Sequence, residues 1–442
     1  MNHIQQSIRR LHLQLINYAL SRGYSYCRWQ QIANTILFKE KNNIKIHRTR
    51  VIHLYEADYN LILGLKWRAA LYKSEANNTL HEGQFGSRPR RNAIDPVMLE
   101  ELQLEMSRVS RKMFLQTNYD ATACYDRIIP NLAMLASQKF GVHKHVTTSN
   151  ARTLQHAAYH IRTELGMSPT SYSHSDQHPI YGTGQGSGNS PMIWCFISSI
   201  LYECYGSQSY EAKYSNPDRS NPMHWSMIGF VDDSNGQVNM FPERDSIETL
   251  NTMHAHAQHN AQEWANLLGA TGGSLELPKC SYHLLYWRFS MQGAPVLANC
   301  PQEYRTITVT DPHTQTTKTL EYLSPHSAHK TLGHYKEPAG TQITQFTQLK
   351  KKSDSITRFL WSTNLSRGET WLYYHACYLP AIGYPLTSSH LSYQQLDKVQ
   401  RTAMSIIIAR CGYNRNTKRE ILFGPVEYGG ANFTHLYFRQ GF

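Results

Sequence analysis

Apolar residues recur at helical spacing over much of the chain. Leu11, Leu13, Leu15, Ile16 and Leu20 predict that residues 1–36 are helical, and Leu61, Leu65, Ala69 and Tyr72 predict a helix over 59–72. Pro96, one residue after Asp95, suits a helix start, and Val97, Leu102, Met106 and Val109 carry the apolar stripe to about Lys112. Further helices are expected over 131–140, 150–165 and 247–268, and from Ser190-Pro191 to about Tyr205, with Ser as cap. From residue 341 onward Ile343, Phe346, Leu349, Ile356, Phe359 and Leu360 fit one helical face. Leu396, Val399, Ala403, Ile406 and Ile407 fit a second.

Strand patterns lie between these. Val51-Ile-His-Leu54 is a short apolar strand, and Met113-Phe-Leu-Gln-Thr-Asn-Tyr119 reads as a buried one. Residues 227–230 and 234–238 flank a tight turn, residues 274–287 form a strand region, and 304–309 with 316–323 alternate around Asp311-Pro-His313 as a hairpin. Residues 168–179 and 206–222 are polar and read as loops.

Composition narrows the class. The 442 residues suffice for two or three subdomains. A net charge of +12 and 28 Tyr suit a nucleic-acid partner, because cations neutralise phosphates and rings stack on bases. Residues 336–442 hold thirteen Lys plus Arg against six Asp plus Glu, so most of the excess lies there. The eight Cys include no Cys-x-x-Cys pair and read as reduced thiols of an intracellular protein, nuclear or cytoplasmic. No signal peptide is visible. The longest apolar run, Met192 to Tyr202, is too short to span a bilayer.

The chemistry concentrates in three places. Met227-Ile-Gly-Phe-Val-Asp-Asp-Ser-Asn-Gly-Gln-Val238 sets Asp232 and Asp233 at a hairpin tip, where two neighbouring carboxylates can reach one site despite strand alternation. Asp-Asp is also ordinary turn chemistry. The strand 113–119 ends in Asp120, followed by Ala-Thr-Ala-Cys-Tyr125. Between them lies Gly182-Thr-Gly-Gln-Gly-Ser-Gly-Asn-Ser-Pro191. It lacks the Lys-Ser/Thr of a P-loop, but its glycines permit close backbone approach. His254, His256 and His259 do not share one helical face and are read as surface residues.

This order, a strand plus Asp, then Gly-Gln-Gly with Ser-Pro, then aromatic-x-Asp-Asp, resembles the palm motifs of reverse transcriptases, and the likeness covers roughly residues 40–435. Gln84-Phe-Gly-Ser-Arg-Pro-Arg-Arg91 and Gly424-Pro-Val-Glu-Tyr-Gly-Gly430 are similar to blocks of non-LTR retroelements. The resemblance implies an α+β right-hand polymerase fold: an antiparallel palm sheet with helical fingers and a helical thumb. Fingers and N-terminal helices would occupy 1–112. The palm would span 113–335, with a fingers or insert segment near 131–180, and the basic thumb with the C-terminal segment 336–442.

It further implies an RNA-directed DNA polymerase that extends a DNA or RNA primer on an RNA template with dNTPs, using two Mg²⁺ ions, with Mn²⁺ as a substitute. Asp120, Asp232 and Asp233 would be catalytic, with Asp120, Ala121, Asp232 and Asp233 as the metal set. Arg48, Arg50, Tyr125, Gln185, Gly186 and Lys279 would face the nucleotide, Tyr125 as a steric gate against the 2′-hydroxyl. Arg88, Arg90 and Arg91 would hold template phosphates, and Lys350, Lys351 and Lys352 the nucleic acid at the thumb. Thr331-Leu-Gly333 fits the primer grip. Departures are Phe230 for the usual Tyr and Val231 as the middle residue. Two alternatives remain open: a decayed copy that only binds RNA, and an RNA-dependent RNA polymerase, which usually carries Asp where Tyr125 stands.

Overall fold

A buried strand organises the molecule. The computed structural model describes residues 6–39, 45, 49–216, 218, 220–242 and 246–441. Its elements in chain order begin with α1 (Gln6–Arg22), β1 (Gln31–Phe38), β2 (Thr49–Leu54), α2 (Ala57–Ala76), α3 (Ile94–Ser110) and β3 (Met113–Asp120). Then come α4 (Cys124–Arg127), α5 (Pro130–Lys139), α6 (Lys144–Gln155), β4 (Ala158–Thr163), β5 (Gly166–Ser173) and α7 (Ser190–Gln208). Strands β6 (Ala212–Ser215), β7 (Pro222–Trp225), β8 (Met227–Phe230) and β9 (Asp233–Met240) lead into α8 (Ser246–Ala270). After it run β10 (Ser281–Phe289), β11 (Pro295–Ala298), β12 (Thr308–Thr310), β13 (Thr317–Thr319), β14 (Glu321–Leu323), β15 (His329–Thr331) and β16 (His334–Lys336). The C-terminal helices include α9 (Ile343–Ser362), α10 (Arg367–Tyr373), α11 (Leu379–Gly383) and α12 (Tyr393–Arg410).

The central sheet has the order β11-β10-β3-β9-β8, antiparallel throughout, with β14 added parallel to β10. Strand alternation gives β3 two different faces. Met113, Leu115 and Tyr119 join the main core, where Tyr119 meets Trp264 of α8. On the other face Phe114 packs with Leu104 of α3, and the positions that follow are polar. Gln116 donates to Asn118 at 2.9 Å, and Asn235 of β9 donates to Glu100 of α3 at 2.6 Å. Lys336 of β16 forms a buried ion pair with the same Glu100. Unpaired buried polar groups are costly, so this network holds α3, β3, β9 and the β15–β16 hairpin in one arrangement.

A second sheet has the order β2-β1-β4-β5, with β1 and β4 parallel. It corrects three expectations. The N-terminal part of the chain is not purely helical, because residues 31–38 form a strand whose Ile32 and Asn34 are buried between β2 and β4. The helix expected over 150–165 ends at Gln155, and residues 158–173 form the β4–β5 hairpin instead of a helix end and a loop. The segment 206–222 likewise contains β6, paired with β7. These strands are short and polar, so their alternation is weak.

The C-terminal helices have a core of their own, with Leu349, Leu360, Tyr378, Leu396, Val399 and Ile407 at its centre. Ser366 and Ser392 each close a capping box, on α10 and α12. Among the described residues all eight cysteines are free and no helix is long and apolar enough to cross a membrane.

Candidate functional site

The β8–β9 hairpin turns through two residues. Phe230 pairs with Asp233, leaving Val231 and Asp232 as the central positions. Val231 has φ 59°, and Asp232 is not among the residues with positive φ. That sign pattern belongs to a type II′ turn, whose first central residue is normally Gly. A β-branched residue there stores roughly 1–3 kcal/mol of strain. Beside the turn, the β3–β9 register runs from Met113↔Met240 to Asp120↔Asp233. Directly paired residues point to the same face, with Cα atoms about 4.5–5.5 Å apart. Asp120 and Asp233 are therefore neighbours on the polar face, with Asp232 at the tip.

The carboxylates feel one another. Burial pushes the Asp232 carboxyl above the usual carboxylate range. The Asp120 charge adds to the rise, and its own backbone N–H, Arg50 and Lys279 oppose it. Asp233 keeps contact with water, yet the surrounding protein, then Asp232 and Asp120, raise it to about 6. Lys279 Nζ lies 3.4 Å from Asp120 Oδ2, so an ammonium already offsets part of the negative charge. A cavity of about 110 Å³ joins Asp120, Asp233 and Lys279 to Lys330 and Thr331 of the β15–β16 hairpin. Leu332 and Gly333, both at positive φ, form the turn of that hairpin.

The glycine-rich loop 182–189 packs against α4 and β2. Thr183 N–H donates to the Tyr125 carbonyl at 2.8 Å and Gly182 N–H to that of Ile128 at 2.8 Å, tying the loop to α4. His53 N–H of β2 donates to the Gln185 carbonyl at 2.6 Å. Gly186 has φ 111°, and a Cβ there would fall 2.4 Å from the His53 carbonyl, so only glycine allows the approach. Ser190 is not the cap of α7. Its hydroxyl donates back to the Thr183 and Gly184 carbonyls and closes the loop.

The expected site residues thus fall into groups. Asp120 and Asp233 pair across the strands, and Asp232 at the tip lies close enough to feel the charges of Asp120, Arg50 and Lys279. Tyr125 is half-buried, its phenol pushed up by burial first and also by the Cys124, Asp232 and Cys195 charges. Gln185 and Gly186 lie between α4 and β2. Ala121 is buried and bridges to Leu275. With no ligating side chain, only its main chain could contribute. Arg48 lies outside the described residues.

Arg88 departs from its expected role. It is buried, holds both Glu75 carboxylate oxygens at 2.8 and 2.9 Å, and donates to the His81 and Gln84 carbonyls. Its donors are committed to the fold, so template phosphates cannot take them. Arg90 and Arg91 are exposed, Arg91 lying over the Phe85 ring. Lys351 and Lys352 of α9 line a cavity of about 520 Å³ that also holds Lys330. Lys350 pairs with Asp354. Of the histidines of α8, His256 stacks on Tyr210 with ring centroids 3.5 Å apart, and His259 contacts the Gln208 carbonyl.

Sequence reasoning missed Gln84, whose buried side chain brackets Val231, and Asp126, whose carboxyl burial raises beside the loop while the Gln185 N–H and Lys39 oppose the rise. Gln84 opens the block likened to non-LTR retroelements, but that likeness pointed to its arginines rather than to a contact with the hairpin.

Whether two divalent ions fit can be judged from the donor set. Among the described residues no three His, Cys, Asp or Glu side chains converge into a metal cage. Mg²⁺ is commonly held by one or two carboxylates, with substrate phosphates and water completing its shell. Hard oxygen donors on adjacent cross-strand positions, repelling one another, suit that mode.

No family model matches the chain, and no curated protein matches it. Among solved structures it is similar to telomerase from Candida albicans in complex with a TWJ fragment of telomeric RNA, at 12% identity and a TM-score of 0.41. That match covers 91% of this chain and 60% of the other. Telomerase from Candida tropicalis with the same kind of RNA fragment matches at 11% identity and a TM-score of 0.37, over 91% and 59%. Apo telomerase from Candida tropicalis, truncated from its C-terminal domain, matches at 10% and 0.34, over 66% and 55%. The chain spans about three fifths of the length of the first of these.

Proposed function

We propose that the chain is a reverse transcriptase, a right-hand polymerase that extends a primer on an RNA template with dNTPs. One observation carries the reading: the β3–β9 register sets Asp120 opposite Asp233, so motifs more than a hundred residues apart meet at one acidic edge. In this reading the sheet β11-β10-β3-β9-β8 is the palm, the β15–β16 hairpin the primer grip, and the C-terminal helices the thumb.

Two Mg²⁺ ions at Asp120, Asp232 and Asp233, when bound, would activate the primer hydroxyl and offset charge on the leaving pyrophosphate. The rest is the work of this chain's residues. Arg50 draws the triphosphate toward the acids by charge. Gln185, held between α4 and β2, lines the nucleotide's position. In this reading the Tyr125 ring takes the room a 2′-hydroxyl would need, favouring deoxyribose. Lys279, 3.4 Å from Asp120, gives a proton to the departing pyrophosphate in this reading. Lys330, Lys351 and Lys352 supply positive charge for duplex phosphates. Arg90 and Arg91 remain candidates for the template strand, and Arg88 does not.

Primer extension on an RNA template tests this. Incorporation of dNTPs that depends on a divalent ion and is lost in Asp232→Ala is expected. Ribonucleotide use equal to that of deoxyribonucleotides would point to an RNA-dependent RNA polymerase. Template binding without extension would point to a binding protein.

A further inference from the structure

The turn that presents the acids does not hold itself. Val231 occupies a position that favours glycine, and both of its main-chain polar groups are gripped from outside the hairpin. Gln84 Oε1 accepts from Val231 N at 3.3 Å, and Gln84 Nε2 donates to Val231 O at 3.4 Å. The indole N–H of Trp194 on α7 donates to the same carbonyl. A carboxamide with its two ends on one residue's N–H and C=O fixes the orientation of the peptide units on both sides of that residue.

The carboxamide is itself held. Gln84 is fully buried. Gly86 N–H donates to its Oε1 at 2.7 Å, which fixes that end as the acceptor, and its Nε2 donates to Ser198 Oγ at 2.8 Å. The main chain around it adds to the central sheet: Phe85 N–H donates to the Gly229 carbonyl and Gly229 N–H to that of Gly83, both at 2.8 Å. At Gly86 a Cβ would fall 2.2 Å from Val231 N, so the segment lies directly against the turn. Arg88 bonds the Gln84 carbonyl and anchors it to Glu75 of α2. A continuous set of polar contacts therefore runs from α2 through Arg88 and Gln84 to Val231, next to Asp232.

We propose that Gln84 is a positioning residue: it holds the strained Val231–Asp232 turn in the one conformation that brings Asp232 and Asp233 to Asp120. The segment 83–88 is then a bracket on the hairpin rather than a contact to template. The proposal rests on the acidic edge being the working site, and it assigns Gln84 no contact with substrate.

The test uses Gln84→Met, which keeps the volume and removes the bonds, with and without Val231→Gly, which adopts a positive φ unaided. Mn²⁺ binding to the whole chain is followed by electron paramagnetic resonance, beside circular-dichroism melting and primer extension. Gln84→Met should weaken Mn²⁺ binding roughly 10–100-fold, the range for residues that orient metal ligands. Val231→Gly in the same chain should restore most of it. A purely structural role would lower melting without suppression of the metal defect by glycine.

Unchanged Mn²⁺ binding in Gln84→Met, or a double variant no better than the single, overturns the proposal. Should Gln84→Met fail to fold, Trp194→Phe, which removes the other donor to Val231, is compared with and without Val231→Gly by the same criterion. Failure of the polymerase reading shows separately, as absent extension by wild type while the Mn²⁺ pattern holds.

Discussion

Asp120 and Asp233 are the last pair in the β3–β9 register, on the polar face of the central sheet, with Lys279 Nζ 3.4 Å from Asp120 Oδ2. Three segments that are remote in sequence thus share one charged edge. Lys279→Ala removes the cation without altering the sheet. It should slow the chemical step with little change in nucleotide KM, because a proton donor acts on the leaving group rather than on binding. Pre-steady-state nucleotide addition checks this. A change confined to KM would assign Lys279 to binding alone.

The main chain of Tyr125 is tied to the glycine-rich loop, its carbonyl accepting from Thr183 N–H at 2.8 Å. Tyr125→Ala should raise ribonucleotide incorporation relative to deoxyribonucleotides, while deoxyribonucleotide addition persists. Unaltered sugar selectivity in single-nucleotide extension would place the gate elsewhere.

Arg88 and its neighbours separate by stability. Arg88→Ala leaves Glu75 unpaired and should cost about 3 kcal/mol, the lower end for breaking a buried pair because Glu75 keeps some contact with water. Arg90→Ala and Arg91→Ala should leave the unfolding free energy from denaturant titration within about 0.5 kcal/mol of wild type, as exposed positions do. If Arg88→Ala instead weakens RNA binding with stability intact, the structural assignment of Arg88 is wrong.

Duplex binding at the C-terminal helices should be strongly salt-dependent. For ~6–10 phosphate contacts affinity falls ~10³-fold or more between 50 and 200 mM salt. Lys351 is the test position, since Lys350 pairs with Asp354 and Lys352 donates to the Ala381 carbonyl. Lys351→Ala should lower the salt slope by about 1. An unaltered slope removes Lys351 from the interface.

His283 of β10 is buried beside His329, and burial holds its ring neutral down to about 3, the His329 charge adding to the effect. The unfolded chain takes up this proton near 6.5 and the folded chain does not, so unfolding is favoured as pH falls through that window. Stability from this group is present above about 6.5 and lost toward 3, by a few kcal/mol in all, or roughly 1.4 per unit. Urea titrations of wild type and His283→Gln between pH 7 and 4.5 should show a shallower slope in the variant. Parallel slopes would mean that other groups carry the acid response.

The parts legible in the sequence were those with one dominant signal. Met113–Asp120 is a continuous buried strand, the helical spacing located the helices 57–76 and 343–362, and the order of the three motifs picked out Asp120, Asp232 and Asp233. The face expected for 57–76 is the wrong one, because Leu61, Leu65 and Tyr72 are exposed while Tyr59, Leu63, Trp67 and Leu71 are buried. What stayed hidden depends on distant partners. Strand β1 is polar at Gln31, Asn34 and Thr35 and becomes a strand because β2 and β4 flank it. The β4–β5 hairpin is mostly exposed, so its alternation is faint. Arg88 looked like a phosphate ligand because a basic run reads the same whether its donors face water or Glu75. Gln84 was passed over because its two partners on Val231 lie 147 positions away.

The most direct test of the acidic edge is single-nucleotide primer extension on an RNA template, comparing wild type with Asp232→Asn, which keeps the shape of the turn and removes one charge. The account predicts dNTP addition by wild type in Mg²⁺, a loss of ~10²–10³-fold in the variant, the typical loss on removing one transition-state electrostatic contact, and equal template affinity in both. Equal addition rates in the two proteins, or none in either with template still bound, would contradict it.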